Sequence, residues 1–182
     1  LGGEKVVIKK YAGRKALDIE LRAYERLRGA TIAPRLLAED KPNCMLAFQH
    51  VGPDVGMLRV RAPERYKRIL PRLQAQLDAA IECLWQTYGI VHDDVRPRNL
   101  CVDKAGVLRV IDYGSQDGHG GLLRGPGEGD RPVAPRLPPP LPPGAVPDAE
   151  ATADAAVIPQ GRLYVLGPAM PRLSMARIVG RW

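Results

Sequence analysis

Phenylalanine occurs once and tryptophan twice in this chain of 182 residues. Few rings are therefore on hand to stack on bases, and the basic residues alternate with acids instead of forming a stripe. Specific nucleic-acid binding is not expected despite a net charge of +7. Cysteine is scarce as well. Cys44, Cys83 and Cys101 are odd in number, far apart and set among apolar neighbours. They read as reduced core thiols, which excludes a disulfide frame or a zinc site and points to an intracellular, cytoplasmic setting. No apolar run approaches the roughly 20 residues that a membrane helix needs, and no signal-peptide pattern opens the chain, so no membrane partner is expected. The first residue is Leu and a strand follows almost at once, which reads as the start of a fragment.

Proline and glycine are plentiful but unevenly spread. They crowd residues 115–147, with PRLPPPLPP at Pro135 to Pro143, and that stretch has no apolar periodicity. Such a segment buries too little surface to offset its ordering entropy and is expected to be disordered or polyproline-like. Three parts follow: a folded domain over 1–115, a disordered Pro/Gly-rich segment over 116–158, and a tail over 159–182. In the last part scattered apolar residues such as Leu163, Tyr164, Val165 and Leu166 suggest a strand or short helix. Gly125 to Gly129 has the composition of a phosphate loop, but no strand precedes it and no helix follows.

The first part alternates strand and helix patterns. Glu4 to Tyr11 is rich in β-formers on both faces, so alternation cannot choose between Lys9 and Lys10 as the inward lysine. Ala16 to Arg28 carries Leu17, Leu21, Tyr24 and Leu27 on one helical stripe, with Glu20 inside it and Glu25 at its edge. A carboxylate among inward apolar residues needs a cation, and Lys9 is the nearest; local pairing with arginine on the helix surface is the alternative. Ile32 to Ala38 and Cys44 to Val51 read as strands around the turn EDKPN, after which Gly52, Pro53 and Gly56 mark a crossing. Glu64 to Tyr88 is strongly helical, with Pro71 expected to kink or divide it and Gly89 to cap it. Leu100 to Ile111 reads as a hairpin broken at Lys104-Ala105-Gly106.

Between Gly89 and Gly114 the chain concentrates His92, Asp93, Asp94, Asn99 and Asp112. Mg²⁺ takes oxygen ligands, usually one or two carboxylates together with the phosphates of a nucleotide. Asp112 and the Asn99 amide oxygen can supply them, while Asp94, five residues before Asn99, is free to face an incoming hydroxyl. The pattern suits phosphoryl transfer.

His92-Asp93-Asp94-Val95-Arg96-Pro97-Arg98-Asn99 resembles the protein-kinase catalytic loop, Asp112-Tyr113-Gly114 resembles its D-F-G, and Val7-Ile8-Lys9 resembles its V-A-I-K strand. The resemblance implies an α+β, partial protein kinase-like fold: a small β-rich lobe with its C helix and the start of a helical large lobe, ahead of the Pro/Gly-rich disordered tail. It implies ATP and Mg²⁺ as cofactors and a protein serine or threonine hydroxyl as acceptor. Lys9 would hold phosphate and pair with Glu20, Asp94 would act as base or orient the hydroxyl, and Asn99 and Asp112 would hold metal. Phe48-Gln49-His50 would form the hinge that offers backbone groups to adenine, with His50 at its edge.

Asp93 stands where the family usually has arginine, which argues against control through a phosphorylated activation segment. The same residues are similar to small-molecule kinases of the aminoglycoside and choline type. A third reading is a catalytically inactive nucleotide-binding or scaffold module. LGGEKVVI is too short for a Gly-rich loop, and no A-P-E motif or F helix follows Gly114, so the chain reads as an incomplete or misread product of a kinase-like gene. Arg136, Pro139 and Pro142 fit the R-x-x-P-x-x-P pattern of SH3-domain ligands.

Overall fold

A computed structural model describes residues 5–114, 131–142 and 161–165. Strand β1 (Lys5–Lys10) is followed by helix α1 (Arg14–Arg26), strands β2 (Leu36–Asp40) and β3 (Met45–Gln49), and helices α2 (Val55–Arg61) and α3 (Pro63–Tyr88). A 3₁₀ turn (Pro97–Asn99) then leads into the hairpin β4 (Leu100–Val102) and β5 (Leu108–Val110), and β6 (Gly161–Val165) comes last. The mixed architecture of small antiparallel sheets and helices is compatible with the expected partial kinase-like lobe.

The first sheet runs β2-β3-β1-β6, antiparallel throughout, with Ile8 opposite Ala47 and Lys9 opposite Leu46. Its pleat resolves the ambiguity of the apolar strand β1. Val6 and Ile8 pack with Ala47 on one face, while Val7 and Lys9 line a cavity on the other and Lys10 ends exposed. In α1, Leu17, Leu21 and Tyr24 are buried at helical spacing, as expected from the sequence. Together with Phe48, Tyr66, Leu77, Leu84 and Tyr113 they form one continuous core.

Several boundaries differ from expectation. Strand β2 begins at Leu36, not Ile32, because Ile32 gives its carbonyl to the Val110 amide (2.8 Å) and so ties to the hairpin instead. Helix α3 is one run of 26 residues through Pro71. Pro71 is exposed, so the Lys67 carbonyl that loses its partner lies on the solvent side, where water can satisfy it. Gly89 caps α3 in the left-handed region (φ 59°), and the Arg26 guanidinium of α1 donates to the Tyr88 and Gly89 carbonyls at 3.3 and 3.1 Å. Helix α2 occupies what had read as an irregular crossing. Its start is capped by Asp54, whose carboxylate accepts from the Met57 amide at 2.7 Å.

Part of the Pro-rich stretch lies within the described residues. Residues 131–142 have no helix or strand, but they are not an unattached tail: Leu137 is buried in the main core beside α3. Gln74, Tyr66 and Arg59 donate to carbonyls of the same stretch. Arg136, Pro139 and Pro142 are exposed. Residues 115–130, with the Gly125 to Gly129 run, and 143–160 lie outside the described residues, as do 166–182. Among the described residues no helix is long and apolar enough to cross a membrane.

Candidate active site

A cavity of about 270 Å³ opens between β1 and β3 on one side and α2 and the hairpin on the other. Val7, Phe48, Met57 and Cys101 give it apolar walls, and Lys9, Glu20 and Asp112 close one end. The strand pleat brings Lys9 to this point, one helical turn of α1 brings Glu20, and the end of β5 brings Asp112.

Lys9 Nζ lies 2.5 Å from Glu20 Oε2 and 2.6 Å from Asp112 Oδ1. The Glu20 side chain is 2% exposed, so its charge must be matched locally. Burial pulls the Lys9 ammonium toward neutrality, but the two carboxylates outweigh it and raise its pKa above the ordinary lysine value. Lys10 and Glu25 do not take part; Glu25 lines a separate hollow behind α1. The Tyr11 hydroxyl donates to the same Glu20 oxygen at 2.5 Å. Sequence reasoning missed Tyr11, although it sits two residues after Lys9, on the same face of an extended chain.

The loop before the hairpin is fastened from several sides. The Asp94 amide donates to His92 Nδ1 (3.3 Å), so in the neutral ring Nε2 carries the proton and donates to the Ile111 carbonyl at 2.9 Å. Asn99 is fully buried, and its Nδ2 donates to the Asp94 carbonyl oxygen at 2.9 Å and to Asp94 Oδ2 at 3.0 Å. Asp94 Oδ1 also contacts Arg96 Nε, and Arg98 Nη2 lies 3.7 Å from Oδ2. The Ile111 amide donates to the Asn99 carbonyl at 2.9 Å, which joins the two ends of the hairpin. Asp112 itself has φ 64°, an uncommon backbone region for a residue with a side chain and one that is over-represented at functional sites.

Asn99 and Asp112 carry oxygens of the kind that a divalent cation takes, but only Asp112 lines the cavity, and its Oδ1 accepts from Lys9. Asn99 Oδ1 is buried and, among the described residues, has no hydrogen-bond partner. Among the described residues no cluster of three or more His, Cys, Asp or Glu is arranged to hold a metal ion. Asn99 and Asp112 would therefore need phosphate oxygens or water to complete a shell, as Mg²⁺ commonly does.

The expected hinge differs in detail. The His50 amide is committed to the Lys5 carbonyl (3.1 Å) and the Gln49 amide to the Arg35 carbonyl (2.9 Å). Val51 also lines the cavity, and among the described residues its amide has no backbone partner. Burial, reinforced by the Lys5 ammonium, holds His50 below the usual imidazole value.

Behind the site, Tyr113 is 1% exposed and its ring packs edge-on against His92 and Tyr24, at centroid distances of 5.1 and 5.6 Å. Its hydroxyl is buried and has no partner among the described residues. Substituting Tyr113→Phe keeps the ring contacts and removes an unsatisfied polar group, whose burial costs on the order of 1–3 kcal/mol. The expected outcome is a gain of about 1 kcal/mol in unfolding free energy, read as a higher urea midpoint with an unchanged slope.

No protein-family model matches this chain. It is similar to the dual specificity protein kinase zak2 of Dictyostelium discoideum, with 29% identity over 111 residues. The match spans 61% of this chain and 16% of that protein, so the chain covers about a sixth of its relative's length. The similarity points to a protein kinase-like relationship.

Proposed function

We propose that this chain forms a protein kinase-like phosphotransferase site, which moves the γ-phosphate of ATP to a hydroxyl, with a protein serine or threonine as first candidate acceptor. The observation that carries the reading is Lys9 held between two carboxylates, Glu20 and Asp112, at the wall of an apolar cavity, with Asp112 following directly on Ile111, whose amide is bonded to the Asn99 carbonyl. The apolar walls suit a purine, and the Val51 backbone suits its edge. Lys9 would meet the phosphates, with Glu20 and Tyr11 keeping its ammonium in place. Asn99 and Asp112 would hold Mg²⁺, which supplies charge neutralisation at the transferred group. Asp94 would orient the acceptor hydroxyl and take its proton. Arg98, which also lines the cavity, would add positive charge beside that group.

A second reading draws on a specific contact. Asp94 already accepts from Asn99 and contacts Arg96, as a clasp that merely holds a loop would. On that reading the chain is a nucleotide-binding or scaffold module without turnover.

The deciding experiment is incubation of the full chain with γ-labelled ATP, Mg²⁺, and both protein and small-molecule hydroxyl acceptors. Label transfer that requires Mg²⁺ supports the enzyme, and the labelled acceptor separates protein from aminoglycoside- or choline-type substrates. Thermal stabilisation by Mg-ATP without transfer supports the module. No response to nucleotide by a folded chain overturns the enzyme and the nucleotide-binding module and leaves only a scaffold role.

A further inference from the structure

The surface formed by α2 and α3 carries a set of side chains that read the backbone of an extended peptide. In Leu137 to Pro142, four of six residues are proline, and each proline pushes the residue before it away from the helical region, so this stretch, which has no helix or strand, favours an extended conformation. Prolines have no N–H, and a segment made of them can be recognised through its carbonyls. The helices supply the donors: Gln74 Nε2 to the Pro135 carbonyl at 3.2 Å, Tyr66 Oη to that of Pro138 at 2.6 Å, and Arg59 Nε to that of Pro139 at 2.8 Å. The same Gln74 amide accepts from the Leu137 N–H at 2.8 Å through its oxygen, so it clasps the chain on both sides of Arg136. Leu137 drops its side chain into the core and fixes the register. Arg131, paired with Glu82, anchors the upstream end. Arg136, Pro139 and Pro142 face outward and play no part with their side chains.

We infer that the α2–α3 groove is a recognition site for an extended proline-rich peptide bearing a leucine ahead of its prolines, with residues 135–139 of this chain as its occupant in cis. Two features distinguish it from incidental packing. One amide side chain makes both a donor and an acceptor bond to the same segment, and three different donors serve three carbonyls in five residues. The groove's chemistry does not depend on phosphoryl transfer, so its test is independent of that reading. A partner presenting the same chemistry would compete with the chain's own segment, which the tether holds at a high effective concentration.

Leu137 provides a direct readout, because its amide is one of the few N–H groups in the segment. In the intact wild-type chain that amide is expected to exchange with solvent deuterium at least tenfold more slowly than in a free peptide of residues 131–143. In Gln74→Ala it should return to the free-peptide rate. In a second arm, a labelled 131–143 peptide should bind the Leu137→Asp chain, whose own segment is unseated, at least tenfold more tightly than the wild-type chain. A peptide with the same Leu→Asp change should not bind. Free-peptide exchange at Leu137 in the wild-type chain overturns the inference. So does a folded Leu137→Asp chain that binds neither peptide or both equally. Should that variant fail to fold, the exchange measurement decides alone.

Discussion

Substituting Asp94→Asn is expected to lower phosphate transfer by about 10²–10⁴-fold, the usual effect of removing a positioned proton acceptor, while leaving Mg-ATP binding in place. The substitution keeps size and shape. An asparagine oxygen at the same point can still accept from Asn99 Nδ2, now 3.0 Å from the carboxylate, so the loop keeps that fastening. What disappears is a charge flanked by Arg96 and Arg98, on a side chain that is 25% exposed. Partly exposed ion pairs of this kind contribute about 0–1 kcal/mol, so the thermal midpoint should move by only a few degrees. The size of the rate effect therefore separates two roles for Asp94 within a chain that transfers phosphate. A large loss of transfer with a small loss of stability marks Asp94 as the group that handles the acceptor proton. Equal, small changes in both mark it as a clasp for Arg96 and Arg98, and the acceptor proton then goes to another group.

The second large effect concerns Gly52, at the bend between β3 and α2. Its φ is 136°, a region that side chains rarely adopt, and a Cβ built there would meet the Val102 carbonyl oxygen at 2.1 Å and its carbon at 3.0 Å. Both obstacles are backbone, and neither can swing aside. The Val102 amide is bonded to the Pro53 carbonyl at 2.9 Å, and Asp54 bridges to Cys101, so the strand is held against the bend that would have to open. Backbone strain of about 1–3 kcal/mol adds to forced displacement of similar or greater cost, for a loss on the order of 4 kcal/mol in Gly52→Ala. Against a typical total of about 5–15 kcal/mol, much of the stability goes. Chemical denaturation checks this directly. A loss under about 1 kcal/mol would mean that β4 and the bend are not locked as described. Because Gly52 also lines the cavity, any folded remainder should bind nucleotide more weakly.

Much of this arrangement could be read from the residues in advance, and the exceptions have physical reasons. Helices α1 and α3 declare themselves because their apolar positions recur at helical spacing over three turns or more, and the β4–β5 hairpin because a glycine break divides two apolar runs. Glu20 stood out as a carboxylate inside an apolar stripe, and the structure joins it to Lys9. Helix α2 was hidden because it is seven residues long and Pro53 and Gly56 mimic a loop. Its capping aspartate, three residues before a bonded amide, was the available signal. Tyr11 was missed because a tyrosine at a strand end is ordinarily packing, and only the fold shows that its hydroxyl reaches a buried acid. The docking of Leu137 was invisible to periodicity, since a proline-rich segment held by its carbonyls needs no repeating apolar pattern.

The hairpin has a mechanical consequence. Asn99 and Asp112 sit at its two open ends, and the Asn99 carbonyl is tied to the amide just before Asp112. Those two oxygens ride on a single stiff clip and shift as one body. Lys9 rides on the sheet, so its 2.6 Å contact with Asp112 is where sheet and hairpin clip are joined by charge.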